Sequence, residues 1–268
     1  MASHAGIGDL RPTSVPQHTT PLRQVRVPHT CARSVRLSAL SRVPYFRALD
    51  EQELEQVDAR VTRHTWAAGE NLFREGDAAD ALFVVAEGRV KLSQVRADGS
   101  TTVLDILTPG ETAGAMGIVG EPTHRQTATA LVDTCSLSIG QLDFRELLVQ
   151  HPHVALHVLD DVSGRLARAQ SDIGGQVTQT VPARVATALL RLADKIGNER
   201  PNGVILLEVP LSRADLGGLA LSTPESVSRV MSRWKREGLI TSGRRWVALR
   251  DRDRLQRIAD EVKEATDT

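Results

Sequence analysis

Cysteine, aromatic residues and long apolar runs are scarce in this chain of 268 residues. The two cysteines, Cys31 and Cys135, are too few for a disulfide framework, for a zinc site built on thiolates or for the four thiolates of most iron–sulfur clusters. No apolar run approaches the ~18 residues of a membrane span, and the N-terminus lacks the apolar core of a secretory signal. Catalytic motifs such as a Walker loop or a nucleophile elbow are also missing. The sequence therefore predicts a cytoplasmic protein that is not an enzyme and does not contact a membrane.

The charge is balanced overall, with 33 basic and 33 acidic residues, but it is uneven along the chain. Residues 211–250 carry eight Lys and Arg against three acids, a local net charge of +5. Residues 1–42 carry six Arg and one acid, whereas the middle of the chain is acidic. A basic block near the C-terminus of an otherwise acidic chain predicts a polyanionic partner that binds one domain only.

Hydrophobic periodicity divides the chain into five parts. Residues 1–34 are polar and rich in Pro and Arg, which predicts a disordered basic tail. Residues 35–150 contain short β-type runs separated by Gly turns, as in a small β-roll or jelly roll. Residues 151–177 have a helical period, residues 178–252 combine helices with a hairpin, and residues 253–268 complete the chain as a helix or tail.

The helix predicted at 151–177 carries an apolar seam. Its members follow one another at intervals of 3, 4, 3 and 4 residues, the spacing that lets a helix pair with its twin. A monomer in which the seam packs on the β-roll is the alternative. The seam comprises Leu159, Val162, Leu166, Ala169 and Ile173.

Two short helical patterns joined by a tight turn occupy residues 211–237. Ser212, with Asp215 three residues later, forms a capping box at the start of the first helix, and Thr223 precedes the second. Such a pair of helices, with polar side chains at the start of the second, predicts a helix-turn-helix that enters the major groove of DNA. One face of the second helix, opposite its apolar stripe, presents Glu225, Ser228 and Arg229.

The residue types on these helices suit both base and phosphate contacts. An Arg forks onto O6 and N7 of guanine, and a Glu accepts from the N4 amine of cytosine, so Glu225, Ser228 and Arg229 are the predicted base-reading residues. Hydroxyls and N–H groups at helix N-termini suit phosphates, as do the two Arg at the tip of a hairpin, or wing, predicted over 239–249. The predicted phosphate contacts are Ser212, Arg213, Thr223, Ser226, Lys235, Arg244 and Arg245.

With a β-roll, a long helix and a winged helix in this order, residues 36–250 resemble the Crp/Fnr superfamily of bacterial transcription regulators, that of the cyclic-AMP receptor protein and the fumarate–nitrate reductase regulator. The resemblance implies an α+β fold with an N-terminal cyclic-nucleotide-binding-like sensor domain, a long dimerisation helix and a C-terminal winged helix-turn-helix. It also implies a homodimer that binds palindromic double-stranded DNA, with RNA polymerase as a further partner. The run Glu225-Ser226-Val227-Ser228-Arg229 looks like the E-x-x-S-R pattern of the fumarate–nitrate branch, whose half-sites are similar to TTGAT. Leu221 departs from the family, which usually has Gly in this turn.

The same resemblance indicates a degenerate effector pocket. In the nucleotide-binding members a Glu holds the ribose, and an Arg and a Ser hold the cyclic phosphate. Here Arg125 is present, but Ala115 replaces the Glu and Gln126 replaces the Ser. Because one anchor of several survives, cyclic AMP is not the expected signal, although it stays an alternative. The predicted pocket residues are Gly114, Ala115, Arg125 and Gln126.

No cofactor or metal site is predicted from the remaining residues. Cys135 lies in an alternating strand and is expected in the core, Cys31 is expected to be an exposed thiol in the tail, and no iron–sulfur cluster is expected. His153 and His157 have a spacing that can bind a metal, but the sequence places no third ligand beside them. Haem, which serves some members of the superfamily as a gas sensor, stays an alternative signal.

Two other functions fit parts of the sequence. A cyclic-nucleotide-binding module that acts on a partner protein would not need the recognition face or the basic block at 211–250. An RNA-binding winged helix would need exposed aromatics for base stacking, and the chain has eight Phe, Trp and Tyr in all. The sequence therefore favours a DNA-binding transcription regulator.

Overall fold

The computed structural model describes residues 31–96, 101–114 and 122–261. Within them, two four-stranded antiparallel sheets form the predicted β-roll, with strand orders β1-β8-β3-β6 and β2-β7-β4-β5. An apolar interior that includes Phe73, Val85 and Leu92 lies between the sheets. The strands are β1 (Thr62–Trp66), β2 (Asn71–Phe73), β3 (Ala81–Glu87), β4 (Val90–Val95), β5 (Thr101–Leu107), β6 (Thr112–Ala113), β7 (Thr127–Ala130) and β8 (Thr134–Gly140).

Strand β3 shows why this part of the sequence folds as a roll. Its apolar run is continuous because both faces of the strand are covered: Leu82 packs with the helices outside the sheet, and Val85 packs inside the roll. The turn to β4 requires Gly88, which has φ +92°, and a Cβ there would lie 2.5 Å from Thr134 Oγ1. A continuous apolar run and a glycine turn thus define this hairpin.

Three helices and a 3₁₀ turn cover the outer face of the β1-β8-β3-β6 sheet. They bury Leu40, Phe46 and Phe144 against Leu82 and Leu137 of the strands. The helix at the N-terminal end begins at Arg33, one residue before the end of the tail predicted at residues 1–34. The elements are α1 (Arg33–Arg42), the 3₁₀ turn (Pro44–Phe46), α2 (Glu51–Arg60) and α3 (Gln141–Gln150).

A long helix, α4 (Pro152–Thr178), follows and matches the helix predicted at 151–177. Two of its seam residues, Leu159 and Leu166, are 62% and 59% exposed in the single chain, and Val162 is half-buried. The alternative in which the seam packs on the chain's own roll is therefore wrong for these two leucines. Ala169 and Ile173 lie on the helix, but their side chains are outside the described part of the structure.

The C-terminal half combines helices with a small antiparallel sheet around one apolar core. Helix α8 packs on α5 and buries Leu255, so the end of the chain, predicted as a separate helix or tail from residue 253, contributes to this core as far as residue 259. No helix in the described ranges is long and apolar enough to cross a membrane. The elements are α5 (Val181–Ile196), β9 (Asn198–Glu199), β10 (Ile205–Leu207), α6 (Arg213–Leu219), α7 (Pro224–Arg236), β11 (Ile240–Ser242), β12 (Val247–Leu249) and α8 (Arg252–Ala259).

The two halves share an interface between β5 and α6. Val103 and Ile106 of β5 belong to the apolar core of the C-terminal half. Helix α6 approaches the strand so closely that a Cβ on Gly218 would lie 2.5 Å from the backbone nitrogen of Val103. Glycine at this position therefore lets the helix pack directly on the strand backbone.

Ion pairs border this interface. Lys91 Nζ of β4 lies 3.1 Å from Asp215 Oδ1 of α6. On the other side, Lys195 Nζ of α5 lies 3.0 Å from Asp105 Oδ1 and 2.9 Å from Glu111 Oε1, both carboxylates of the roll. Local sequence patterns do not predict these contacts, because each pair joins residues at least 80 positions apart.

Candidate nucleic-acid interface

The first helix of the motif, α6, begins at the predicted capping box. Ser212 Oγ accepts from the backbone N–H of Asp215 at 3.0 Å, and Asp215 Oδ2 accepts from the N–H of Ser212 at 2.8 Å. Ser212 is exposed, whereas Arg213 is half-buried, and burial lowers the pKa of the Arg213 guanidinium. The cap is thus confirmed, and it places the Ser212 hydroxyl at the outer end of α6.

The turn between the two helices contains the departure noted in the sequence. Leu221 has φ +48°, the left-handed backbone that favours glycine, so the turn keeps its geometry despite the leucine. Arg184 of α5 supports it: Nε donates to the Ala220 carbonyl at 3.1 Å and Nη2 to the Leu221 carbonyl at 3.4 Å. Sequence reasoning missed Arg184, because no local pattern marks an arginine that satisfies carbonyls of a distant turn.

The second helix, α7, is capped by Thr223, whose Oγ1 accepts from the N–H of Ser226 at 3.2 Å. The same hydroxyl donates to Ser226 Oγ at 3.1 Å, so both predicted phosphate-binding hydroxyls lie together at the helix start. Pro224 occupies the first helical position, where a missing N–H costs nothing. The N-terminal end of α7 is therefore capped as predicted, with its hydroxyls at the entry to the recognition face.

The buried and exposed faces of α7 divide as the sequence predicts. Its stripe of Val227, Met231 and Trp234 is buried in the core of the C-terminal half. Glu225 and Arg229 are exposed, and Ser228 is half-buried; the three lie at i, i+3 and i+4 on one face. The structure thus brings the three predicted base-reading residues together on a rigid helix.

The predicted wing is a β-hairpin formed by β11 and β12. Ser242 lies opposite Val247 in the register, and the exposed Arg244 and Arg245 lie at the tip. Lys235 of α7 donates from Nζ to the Ser242 carbonyl at 3.1 Å, which ties the recognition helix to the wing. The basic groups predicted to contact phosphates therefore extend from α7 along the hairpin.

The predicted effector pocket is only partly described. Gly114 follows β6 with φ +81°, Arg125 is exposed and Gln126 is half-buried, whereas Ala115 lies outside the described residues. A residue that the sequence did not reveal reaches this region from α4: Arg165 donates from Nη2 to Thr112 Oγ1 at 2.9 Å. Thr112 is a buried residue of β6, the strand beside the pocket, so this bond joins that strand to the long helix.

The cysteines correct one expectation. Cys31 is 4% exposed and packs in the same apolar cluster as Cys135, so the expected exposed thiol is wrong, whereas Cys135 lies in the core as predicted. Burial raises the pKa of the Cys135 thiol, and the neighbouring Cys31 raises it further. Arg36 Nη1 donates to the Cys31 carbonyl at 3.0 Å and its Nε to Asp58 at 2.7 Å, which holds this segment against α2. Both thiols therefore belong to the core.

Comparison with known proteins agrees with this architecture. The cyclic nucleotide-binding domain model matches residues 63–151, and the Crp-like helix-turn-helix domain model matches residues 183–258. The transcriptional regulator LdrP of Thermus thermophilus is 31% identical over 75% of this chain and 98% of its own length. The cyclic AMP receptor protein of the same species is 29% identical over 81% of this chain and 96% of its own. The structure of FixK2 from Bradyrhizobium japonicum is 25% identical with a TM-score of 0.66, covering 76% of this chain and 99% of that one.

The fold and the exposed recognition helix thus define a two-part regulator with a sensor roll and a DNA-binding helix-turn-helix. The chain belongs to the Crp/Fnr family of DNA-binding transcription regulators. The predicted family and fold class are confirmed, and because the relatives are transcription regulators, so is the expectation that the protein is not an enzyme.

Proposed function

We propose that this protein is a homodimer that binds a palindrome with TTGAT-like half-sites and contacts the base edges through Glu225, Ser228 and Arg229. The observation that carries the proposal is the exposed face of α7, which presents these residues while the opposite face is locked in the core. A recognition helix needs this combination, because a side chain can select a base only if its backbone is held in place.

The phosphate contacts support this docking from both sides of α7. The hydroxyls at the start of α6 and α7 lie where anions bind at helix N-termini, and the exposed arginines at the wing tip add positive charge. Such contacts fix the position of the protein on the duplex without selecting its sequence. The proposed phosphate-binding residues are Ser212, Arg213, Thr223, Ser226, Lys235, Arg244 and Arg245.

The dimer forms, in this proposal, through α4. Leu156, Leu159 and Leu166 recur at intervals of 3 and 7 residues and are all exposed, so a second copy of the helix would remove them from water. Pairing two chains would also place two recognition helices on one duplex, as a palindrome requires. The domains of the proposal are a sensor at 35–150, a dimerisation helix at 151–177, a DNA-binding domain at 178–252 and a C-terminal helix or tail at 253–268.

The signal, we propose, is not cyclic AMP, since the ribose and phosphate positions hold Ala115 and Gln126. Whatever occupies the sensor would act on α4 through Arg165, whose bond to Thr112 joins the pocket strand to the dimerisation helix. Haem stays the alternative effector. RNA polymerase is the proposed further partner, because a transcription regulator acts on initiation by that enzyme.

A DNA titration at fixed salt tests this function. Purified protein is added to a labelled duplex that contains TTGAT-N4-ATCAA and to a scrambled duplex of the same composition, each with and without saturating cyclic AMP. We expect tight binding to the palindrome alone and no effect of the nucleotide; specific affinities of this class exceed nonspecific ones by about 10³-fold or more. Equal affinity for both duplexes would overturn the DNA assignment, and binding that requires cyclic AMP would overturn the assignment of the pocket.

A further inference from the structure

A second group of chemistry-bearing side chains lies where α2 meets the start of α4. Glu53, His151 and His153 each place one ligand atom, a carboxylate oxygen or a ring nitrogen, within 4.8 Å of the other two. Glu53 lies in the first turn of α2, and the histidines lie at the junction of α3 and α4. We propose that these three residues bind one Zn²⁺ or a similar divalent transition-metal ion per chain.

The donor set selects the class of ion. Two imidazoles and one carboxylate are the protein ligands of several zinc sites in which water fills the fourth position. Imidazole nitrogen favours zinc, copper, nickel and iron, whereas magnesium and calcium prefer oxygen ligands alone. The cluster is therefore matched to a first-row transition metal rather than to an alkaline-earth ion.

The distances fit this coordination. His151 Nδ1 lies 3.0 Å from Glu53 Oε1. In a tetrahedral zinc site with bonds of about 2.1 Å, neighbouring ligand atoms are about 3.4 Å apart. The imidazole–carboxylate pair is already near that spacing, and the His153 nitrogen, within 4.8 Å of both other ligand atoms, would need to approach them by at most about 1.4 Å.

His153 provides an observation that a simple ion pair between His151 and Glu53 does not explain. Its Nε2 is buried and has no hydrogen-bond partner within the described residues. Buried polar atoms in folded proteins are nearly always paired, so an unpaired nitrogen on a ring of this cluster calls for a partner. A bound ion supplies that partner.

The carboxylate is also held in position. Glu53 Oε2 accepts from the backbone N–H of Asp50 at 2.9 Å as part of the cap of α2, which leaves Oε1 directed at His151. Hydrogen bonds of this kind orient metal ligands from outside the coordination sphere. An ion bound here would fasten α2 to the start of α4.

The other described histidines make different contacts. His64 Nε2 bonds to Ser138 Oγ at 2.8 Å, and the ring of His124 stacks on Phe73 with centroids 3.7 Å apart. His157, which the sequence pairs with His153, lies outside the cluster, with its Nδ1 3.7 Å from Asp160. The sequence analysis paired His153 with His157 on one helix face and predicted no metal site. The side chains that lie beside His153 are instead those of His151, which precedes the helix, and of Glu53, which is about 100 residues earlier in the chain.

Calorimetric titration of the full chain, stripped of metal, with Zn²⁺ tests the proposal, and Co²⁺ absorption reports the ligand set. We expect one equivalent to bind with an affinity that falls about tenfold or more in His153→Ala, while the matched variant His157→Ala changes it by less than about twofold. Glu53→Gln is a second test, because its amide oxygen can still accept from Asp50 but is a weaker ligand.

Thermal melting of the metal-free variants separates loss of the site from loss of the fold. Zn²⁺ is expected to raise the melting temperature of the wild type and of His157→Ala, but not of His153→Ala. Binding unchanged in both His153→Ala and Glu53→Gln would overturn the proposal, because the metal would then be held elsewhere, as by the histidines of residues 1–30. An equal loss in His157→Ala would also overturn it.

Discussion

Helices α6 and α7 lie side by side in the motif, and a hydroxyl side chain caps each of them. Their polar residues serve different surfaces. Asp215 of α6 is buried and pairs with Lys91 of the roll, whereas Glu225 and Arg229 of α7 remain exposed. Asp215 of α6 therefore helps to fasten the DNA-binding half to the sensor half, whereas the exposed Glu225 and Arg229 of α7 are left to contact an external ligand.

The two helices of this helix-turn-helix therefore have different functions: α6 joins the two halves of the chain, and α7 presents the recognition residues. The packing of α6 on β5 uses apolar contact, the close approach of Gly218 and an ion pair, all within the chain. Helix α7 is held by its buried apolar stripe, and its recognition residues Glu225, Ser228 and Arg229 lie on the opposite face. Substitutions on α7 should therefore separate stability from recognition, whereas those on α6 should affect how the halves are joined.

The largest effect is expected from the buried side of α7. Trp234→Ala removes a side chain that is 2% exposed, and we expect the free energy of unfolding to fall by about 3–5 kcal/mol. The half-buried Trp246 at the wing provides a matched control, since Trp246→Ala should cost clearly less. Chemical denaturation of both variants measures the difference in unfolding free energy. Equal losses would contradict the claim that the buried stripe of α7 holds this helix in the core.

The exposed side of α7 should show the opposite behaviour. Arg229→Ala is expected to leave the unfolding free energy unchanged and to remove about 1–3 kcal/mol of discrimination at the half-site G. Arg233, exposed one turn later and paired with Glu237 at 2.7 Å, is the control. Titrations against duplexes with the G replaced report the ratio of affinities. A uniform loss on every duplex would assign Arg229 to the phosphates instead.

A smaller effect is expected where α6 meets the roll. Lys91→Met removes the partner of Asp215 but keeps the capping box, so we expect a loss of about 1 kcal/mol. The exposed Arg96, just beyond the same strand, is the control for removing a positive charge. Denaturation at low and high salt measures both variants. If Arg96→Met costs as much as Lys91→Met, the ion pair does not join the two halves.

The smallest effect concerns the turn. Leu221→Gly should raise the unfolding free energy by up to about 1 kcal/mol, because glycine adopts the φ of +48° without strain. Ala220→Gly is the comparison, since Ala220 has φ −94°, so glycine there relieves no strain, adds chain entropy to the unfolded state and removes a buried methyl group. Thermal melting measures both; a loss in Leu221→Gly would show that the leucine side chain outweighs the strain.

Sequence patterns predicted those features whose residues lie close together in the chain, such as helix caps and the buried face of a helix. The box at Ser212, the proline at the start of α7 and the stripe ending at Trp234 each depend on neighbours less than one or two turns away. They were sufficient for the recognition face, whereas the fold class was implied by the resemblance to the family. The unusual Leu221 was noticed through the resemblance to the family, which usually has Gly in this turn.

Contacts between distant residues could not be predicted in this way. Arg184 supports a turn formed some 36 residues later, and Cys31 is buried although its own surroundings are polar. The cluster of Glu53 with two histidines likewise exists only because the roll brings α2 beside α4. Periodicity specifies which face of an element is buried, but not which side chain of another element it will meet.

The most direct test of the proposed function is to measure how many chains bind one duplex and whether both half-sites contribute to the affinity. Wild-type protein is titrated, at one salt concentration, onto the TTGAT-N4-ATCAA duplex and onto a duplex in which one half-site is replaced. If two chains bind through α4 and α7, the complex contains two chains per duplex, and replacing one half-site lowers the affinity by at least about tenfold, since each mismatched base pair costs about 1–3 kcal/mol. One chain per duplex, or equal affinity for both duplexes, would contradict the proposed dimer and its reading of a palindrome.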